Sequence, residues 1–346
     1  MASTETLSRD GDIGYTQPSE YMGADGARVI RIPYRRFLPH KVMKKVRTYP
    51  GVLDILRRER PDVILFHGLC SWELQTVRAY KASNPSVKFY ADSHEDFNNS
   101  ARTFISKQLL HRQYYKRILH RALDAIEKVL CISVETMDFV HDFYEVPREK
   151  TEFYPLGGFV YEDAVYAQIR EMTRAQYEIA DDQVLFVQSG KMDNYLRKVL
   201  QSLAAFSKLR DPNARLILAG TLHESVAAEA AEVISRDERI RFVGWRTGDE
   251  LRDLLCAADV YLQPGTQSST MQMSLCSRCA VILDDVPSHK PFLDGNGWLV
   301  GKQLELDEAL ALAMADPDQL RLMSSRSGEI ASSLLDYRRL AARLYQ

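Results

Sequence analysis

The residues best placed to do chemistry lie in one stretch, Cys256 to Ile282, CAADVYLQPGTQSSTMQMSLCSRCAVI. Val260, Tyr261 and Leu262 predict a short buried strand. Pro264 and Gly265 break it. Thr266 to Thr270 then supplies hydroxyls and amides suited to capping a helix that starts near Thr270. Met271, Leu275 and Arg278 mark that helix, and Ala280 to Leu283 predicts the next strand. A strand feeding a helix through such a turn leaves backbone N–H groups at the carboxyl edge of a sheet, where α/β proteins hold anions such as phosphate.

Two more places carry reactive groups. Ser189-Gly190-Lys191 follows the predicted strand Val184 to Gln188, so an ammonium stands at a strand end, with Arg197 and Lys198 opening the next helix. His94 lies just past a strand in DSHED, where its imidazole could hydrogen-bond a hydroxyl or shuttle a proton. Asp92, Glu95 and Asp96 are near enough to set its tautomer or to orient a substrate. Each has a plainer reading: solvated cations, and a histidine satisfied within its loop. Cys276 and Cys279 form a C-x-x-C with no second pair, which reads as small residues packing a helix on a sheet rather than as a metal site. Asp284-Asp285 reads as a solvated turn. No metal ligand set is read from the sequence.

The elements that must position these groups alternate strand and helix. In the first half, strands are predicted at Val29 to Ile32, Asp62 to Phe66, Val87 to Ala91, Val129 to Ile132 and Thr151 to Tyr154. Helices are predicted at Val52 to Arg58, at Trp72 to Ala82 and after Ser133. Phe104 to Leu123 reads as a long amphipathic helix with Leu109, Leu110, Tyr114, Ile118 and Leu119 on its apolar face. Met1 to Ala27 is polar and carries no convincing buried strand. The second half repeats the alternation from Val184 to Val300, and helices close the chain. Parallel sheets in both halves follow, an α/β class with a cleft at the strands' carboxyl edges. The break at Pro155-Leu156-Gly157-Gly158 places a hinge, giving a first domain at 1–157 and a second at 158–330. A C-terminal helix, 331–346, is expected to cross back to the first.

Length and composition agree with two globular domains: 346 residues, 45% hydrophobic and 27% charged. The formal charge of −2 gives no reason to expect nucleic acid. Five scattered cysteines suggest no disulfide framework. With no signal peptide and no apolar run of about 18 residues, the expected location is the cytoplasm. Arg35 to Arg47 and Arg102 to Arg121 interleave cations with apolar residues, which reads either as a charged helix face over a core or as a patch for a membrane surface.

The ordered set DVILFHG, YADSHED, CISVET, EVPREKTEFYPLGG, Ser189-Gly190-Lys191, Arg197-Lys198, LILAG, RFVGW, ADVYLQPG, AVI and GNGWLV resembles glycosyltransferase family 4, of GT-B fold, over Val29 to Val300. The resemblance implies two Rossmann-like domains facing a central cleft, and retaining transfer of a sugar from a nucleotide-diphosphate donor, a UDP-sugar, to a glycan or lipid-linked glycan acceptor. It implies no cofactor and no metal. Cationic side chains and helix N-terminal amides take up the leaving diphosphate. Carried onto this chain, the donor-binding residues are Gly190, Lys191, Arg197, Lys198, Trp245, Gln267, Ser268, Ser269, Thr270 and Gln272. His94 and Asp96 are the catalytic candidates. The resemblance further implies surface polysaccharide synthesis, and the two basic segments would serve peripheral contact at the inner membrane face.

Two departures from the family pattern stand out. The pair of glutamates usual around this loop and helix is replaced by a QPGTQS-type loop, with Gln267, Ser268 and Gln272 near their places. The family's opening strand, glycine-rich loop and helix have no counterpart before Val29, so the first domain is expected to lack its first β-α unit. A non-catalytic sugar-nucleotide or glycan-binding protein of the same fold is the alternative these departures favour.

Overall fold

A computed structural model describes residues 1–7, 13–192, 198–301 and 304–346. The chain divides into two compact units, Met1–Tyr154 with Tyr345, and Pro155–Leu344 with Gln346.

The first unit opens with short strands: β1 (Ala2–Ser3), β2 (Glu5–Leu7), β3 (Ile13–Tyr15), β4 (Ser19–Met22) and β5 (Arg28–Ile32). β5 lies between β1 and β4 in one small sheet, and β2 pairs antiparallel with β3 in another. One expectation changes here. Before Ala27, β1, β3 and β4 are exposed or half-buried, as expected, but Val29 to Ile32, predicted to be buried, is only half-buried in this small sheet.

The parallel sheet of the unit starts later. It comprises β6 (Val63–Phe66), β7 (Lys88–Ser93), β8 (Val129–Cys131) and β9 (Thr151–Phe153), in that spatial order. Its core joins Phe89, Ala91 and Val129 to Leu74 and Val77 of the helix Glu73–Ser83, and to Phe139, Val140 and Tyr144. Ser133 caps the helix Val134–Asp142 by accepting from Thr136 N, as its hydroxyl at that position predicts.

The segment read as one amphipathic helix winds differently. Ser106–Tyr115 is π-helical and only Lys116–Ala122 is α-helical. A π-helix bonds i to i+5, so an apolar spacing counted on 3.6 residues per turn slips out of phase. Leu109 is left 63% exposed, while Ile118 and Leu119 are buried as expected.

Among the described residues, the second unit is built on one six-stranded parallel sheet. Its strands are β10 (Val184–Met192), β11 (Ala214–Leu222), β12 (Ile240–Gly244), β13 (Val260–Gln263), β14 (Ala280–Asp284) and β15 (Gly297–Val300). Their spatial order is β12-β11-β10-β13-β14-β15, so the Lys191 strand and the strand leading into the hydroxyl-rich turn are neighbours. The helix Ser269–Cys276 ends before Arg278, which has φ 63°. Arg278 and Cys279 therefore lie past the helix they were expected to mark. All five cysteines are buried and unpaired with one another.

A helix the sequence pattern did not single out, Asp163–Gln176, precedes the sheet. Its polar face is what docks it. Arg170 and Arg174 both pair with Asp259, at the start of β13, and Arg170 Nη1 also donates to the carbonyls of Cys256, Ala257 and Ala258. Gly157 and Gly158, expected as a hinge, run against the C-terminal segment. Gly158 N donates to Leu335 O, and a Cβ on Gly157 would stand 2.7 Å from that carbonyl.

Candidate functional site

The second unit gathers its polar groups at the carboxyl edge of the sheet. Register pairs Gly190 with Gly220 and Lys191 with Thr221. Gly190 has φ 132°, and among the described residues a Cβ there would meet nothing within 4 Å. Gly220 is different, since a Cβ on it would collide with the Gly190 carbonyl. Two glycines thus let adjacent strands close up while leaving open space above Gly190. Lys191, the next residue along the strand, is exposed.

One strand over, the turn after β13 is held by a chain of hydrogen bonds. Ser189 Oγ and Tyr261 OH are 3.1 Å apart, Tyr261 OH donates to Gln263 Oε1 at 3.2 Å, and Ser268 Oγ donates to the same oxygen at 3.0 Å. Burial pushes the Tyr261 phenol up to about 12, so it stays a neutral donor in this chain. Ser268 is the N-cap of Ser269–Cys276 and accepts from Met271 N at 3.0 Å. The N–H groups of Ser269 and Thr270, in the first turn, have no acceptor within the helix and point along its positive end. The network thus links the Lys191 strand to a helix tip able to take an anion.

The predicted donor residues take unequal places around this edge. Lys198 is engaged: its Nζ lies 2.8 Å from Asp284 Oδ2, and it lines a cavity with Asp285, Glu305 and Asp307. Asp284, read on sequence as solvated, also accepts from Gly265 N at 2.8 Å and so fixes the start of the turn. Gln272 is fully buried, contrary to its expected place against a donor. Its Oε1 accepts from Gly157 N at 2.8 Å and its Nε2 donates to Gln267 Oε1 at 2.5 Å. It positions Gln267 and the chain entering the unit. Trp245, 46% exposed, follows the edge strand β12, with β11 between that strand and β10. Arg197 lies outside the described residues.

In the first unit, His94 follows β7 with Nε2 3.6 Å from Asp92 Oδ1. A second histidine joins it. His67, just past β6, donates from Nδ1 to Asp92 Oδ2 at 2.9 Å, and Gly68 N donates to Asp92 Oδ1 at 2.7 Å. Burial raises the Asp92 carboxyl, but hydrogen bonds from His67, His94 and Gly68 outweigh it and hold the group at about 2. The bond to Asp92 raises His67 above its ordinary value. Asp96 turns its Oδ1 to its own loop, accepting from Asn98 N and Asn99 N, while Asn99 Nδ2 donates to His94 O. His67 was readable only from register: it ends DVILFH, and Phe66 pairs with Ala91, which puts His67 beside Asp92. A cavity of about 650 Å³ within this unit is lined by Arg47, Lys44, Tyr49, Glu73 and His67, among others.

Two family models match the chain, Glycosyltransferase Family 4 over residues 6–157 and Glycosyl transferases group 1 over residues 183–316. Solved structures with the same fold include sucrose-phosphate synthase from Thermosynechococcus elongatus, at 16% identity and TM-score 0.65, covering 95% of this chain and 84% of that one. Anabaena HepE in complex with UDP has 15% identity and TM-score 0.61, covering 91% and 84%. A glycosyltransferase from Rickettsia africae has 13% identity and TM-score 0.62, covering 91% and 83%. No curated protein matches by sequence.

Proposed function

Since the chain belongs to glycosyltransferase family 4 and has the GT-B fold, we propose that it transfers a sugar, with retention and without a metal, from a UDP-sugar to a glycan or lipid-linked glycan in surface polysaccharide synthesis. The observation that carries this reading is the tie between the Lys191 strand and the Ser268-capped helix through Ser189, Tyr261 and Gln263. It gives one sheet edge an ammonium and a set of helix-tip amides, the groups needed as negative charge grows on a departing diphosphate. HepE has been solved with UDP and with UDP-glucose, which supports a nucleotide sugar as donor.

In this reading Lys191 and the Ser269 and Thr270 amides take the diphosphate. Gln267 and Ser268 offer neutral hydrogen bonds to the sugar, and Trp245 offers a face to the base. Gly190 lets the phosphates approach the backbone. His94 contacts the transferred sugar, with Asp92 orienting its ring, and Asp96 holds the loop that carries it. Lys198 acts through Asp284 on the turn rather than as a free clamp. Calorimetric titration with a panel of nucleotide sugars, followed by assay of released nucleoside diphosphate, tests the proposal. Donor binding with release only when an acceptor glycan is present supports it, and failure of every nucleotide sugar to bind would refute it.

The alternative, a binding protein without turnover, is favoured by two observations. The turn offers no carboxylate, and Gln272 is buried in a structural role. Tight donor binding with no release on any glycan would select it.

A lipid-linked acceptor fits the first unit's surface. Phe104, Ile105 and Leu109 are 79%, 70% and 63% exposed, with Arg102, Lys107 and Arg112 exposed around them. Among the described residues no helix is long and apolar enough to cross a membrane, so contact would be peripheral. Sedimentation with anionic vesicles at low salt tests this, and no binding there retires the membrane contact.

A further inference from the structure

His67, Asp92 and His94 are brought together by strand geometry alone. β6 and β7 are adjacent and parallel, with Phe66 opposite Ala91, so His67 comes beside Asp92. Asp92 and His94 are two residues apart, which puts their side chains on the same side of an extended chain. One ligand atom from each of the three lies within 4.8 Å of the others. The imidazole rings meet edge to face, their centroids 4.6 Å apart. The His67 side chain is 77% exposed and that of His94 36%, so a fourth position would face solvent.

We propose that these three side chains form a binding site for one divalent transition-metal ion, zinc by preference. Two imidazoles and one carboxylate are the donors that zinc, cobalt and nickel take. Magnesium and calcium call for oxygen ligands. Zinc bonds of about 2.0–2.2 Å in a tetrahedral site set ligand atoms about 3.3 Å apart. His67 Nδ1 lies 2.9 Å from Asp92 Oδ2 and His94 Nε2 lies 3.6 Å from Asp92 Oδ1, so each imidazole stands near that value from one of the two carboxylate oxygens. Turning the exposed His67 ring would bring both nitrogens toward one ion. The carboxylate is braced by the Gly68 N–H on Oδ1, the kind of outer hydrogen bond that fixes metal-ligating carboxylates. On binding, His67 gives up its bond to Asp92 and presents the Nδ1 lone pair, with any ring proton carried on Nε2.

The ion has a consequence that rests on the transferase reading. It occupies His94 Nε2, so zinc and the transferred sugar compete for one imidazole, and zinc inhibits transfer.

The test uses the full chain, stripped with chelator and titrated with Co²⁺ and then Zn²⁺ alone, with no nucleotide present. One equivalent of Co²⁺ with visible d–d absorption, bleached by one equivalent of Zn²⁺, is expected. H67A and D92N should each weaken binding at least about tenfold, and H223A, in the other unit, should not. Because His67 is exposed, H67A should keep the wild-type circular dichroism, and H67N serves as a second variant that keeps a polar side chain without an imidazole. Absence of the absorption, thiolate charge-transfer bands, or affinity unchanged in H67A, H67N and D92N would each overturn the site. Transfer that persists with zinc bound would count against the sugar contact assigned to His94 and not against the site.

Discussion

Asp284 Oδ2 accepts hydrogen bonds from Lys198 Nζ and from Gly265 N, each at 2.8 Å. One carboxylate at the end of β14 therefore fixes both the first residue of a helix and the first residue of the turn that leads to Ser268. Gly265 has φ 92°, so the turn's shape depends on a residue that few side chains could replace. D284A should lower stability by about 1 kcal/mol, since the pair is partly exposed. It should weaken UDP-sugar binding about tenfold, about 1.4 kcal/mol, by releasing the turn. Thermal melts and calorimetry check both, and unchanged affinity would show that the turn is rigid without Asp284.

The two lysines should separate. Lys191, next to Gly190 along the strand, is exposed, whereas Lys198 is paired. K191A is expected to weaken UDP-sugar binding by about 10–100-fold, about 1.4–2.8 kcal/mol, with an unchanged melting temperature. K198A should cost less in binding and more in stability. The opposite pattern would make Lys198 the phosphate ligand.

Gln272 tests the architecture. In Q272A the buried Gly157 N–H loses its acceptor and Gln267 loses its donor. An unsatisfied buried group costs about 1–3 kcal/mol. A lower urea midpoint for the second unit, followed by tryptophan fluorescence of Trp245 and Trp298, is the expected result, and a midpoint equal to wild type would contradict it.

Much of this was legible in the residues. Ser133 and Ser268 cap the helices their hydroxyls announce, and the alternation from Val184 to Val300 gives the strands of the second sheet. What escaped depends on non-local contacts. Gln272 sits at a helix position where an amide could equally face solvent; its burial follows from Gly157, far away in sequence. Asp284 gains its role from Gly265 and Lys198, and His67 from strand register. The helix Asp163–Gln176 is anchored by two arginines on Asp259, a polar attachment that hydrophobic periodicity does not register. Leu109 is exposed because its segment is π-helical.

Stability should fall on mild acidification through His111. Burial lowers its proton affinity, Lys45 and Arg47 add to that, and the Glu95 carboxylate opposes it. Its Nδ1 lies 2.7 Å from Tyr144 OH. The folded group therefore titrates below the ordinary 6.5 of the unfolded chain. Above that value neither state holds the proton and the contribution is complete. As pH drops below it the unfolded chain takes up a proton first, and stability declines until the folded group also protonates. Urea midpoints across this range should show the decline in wild type and a shallower slope in H111N; equal slopes would contradict it.

The central claim is that a nucleotide sugar sits where β10 and β13 end. Hydrogen–deuterium exchange with and without UDP-glucose reads this directly. Added protection at Gly190 to Met192 and at Gly265 to Met271 is predicted, and it should be lost in K191A. Protection confined to other segments, or none at saturating UDP-glucose and other nucleotide sugars, would contradict the account.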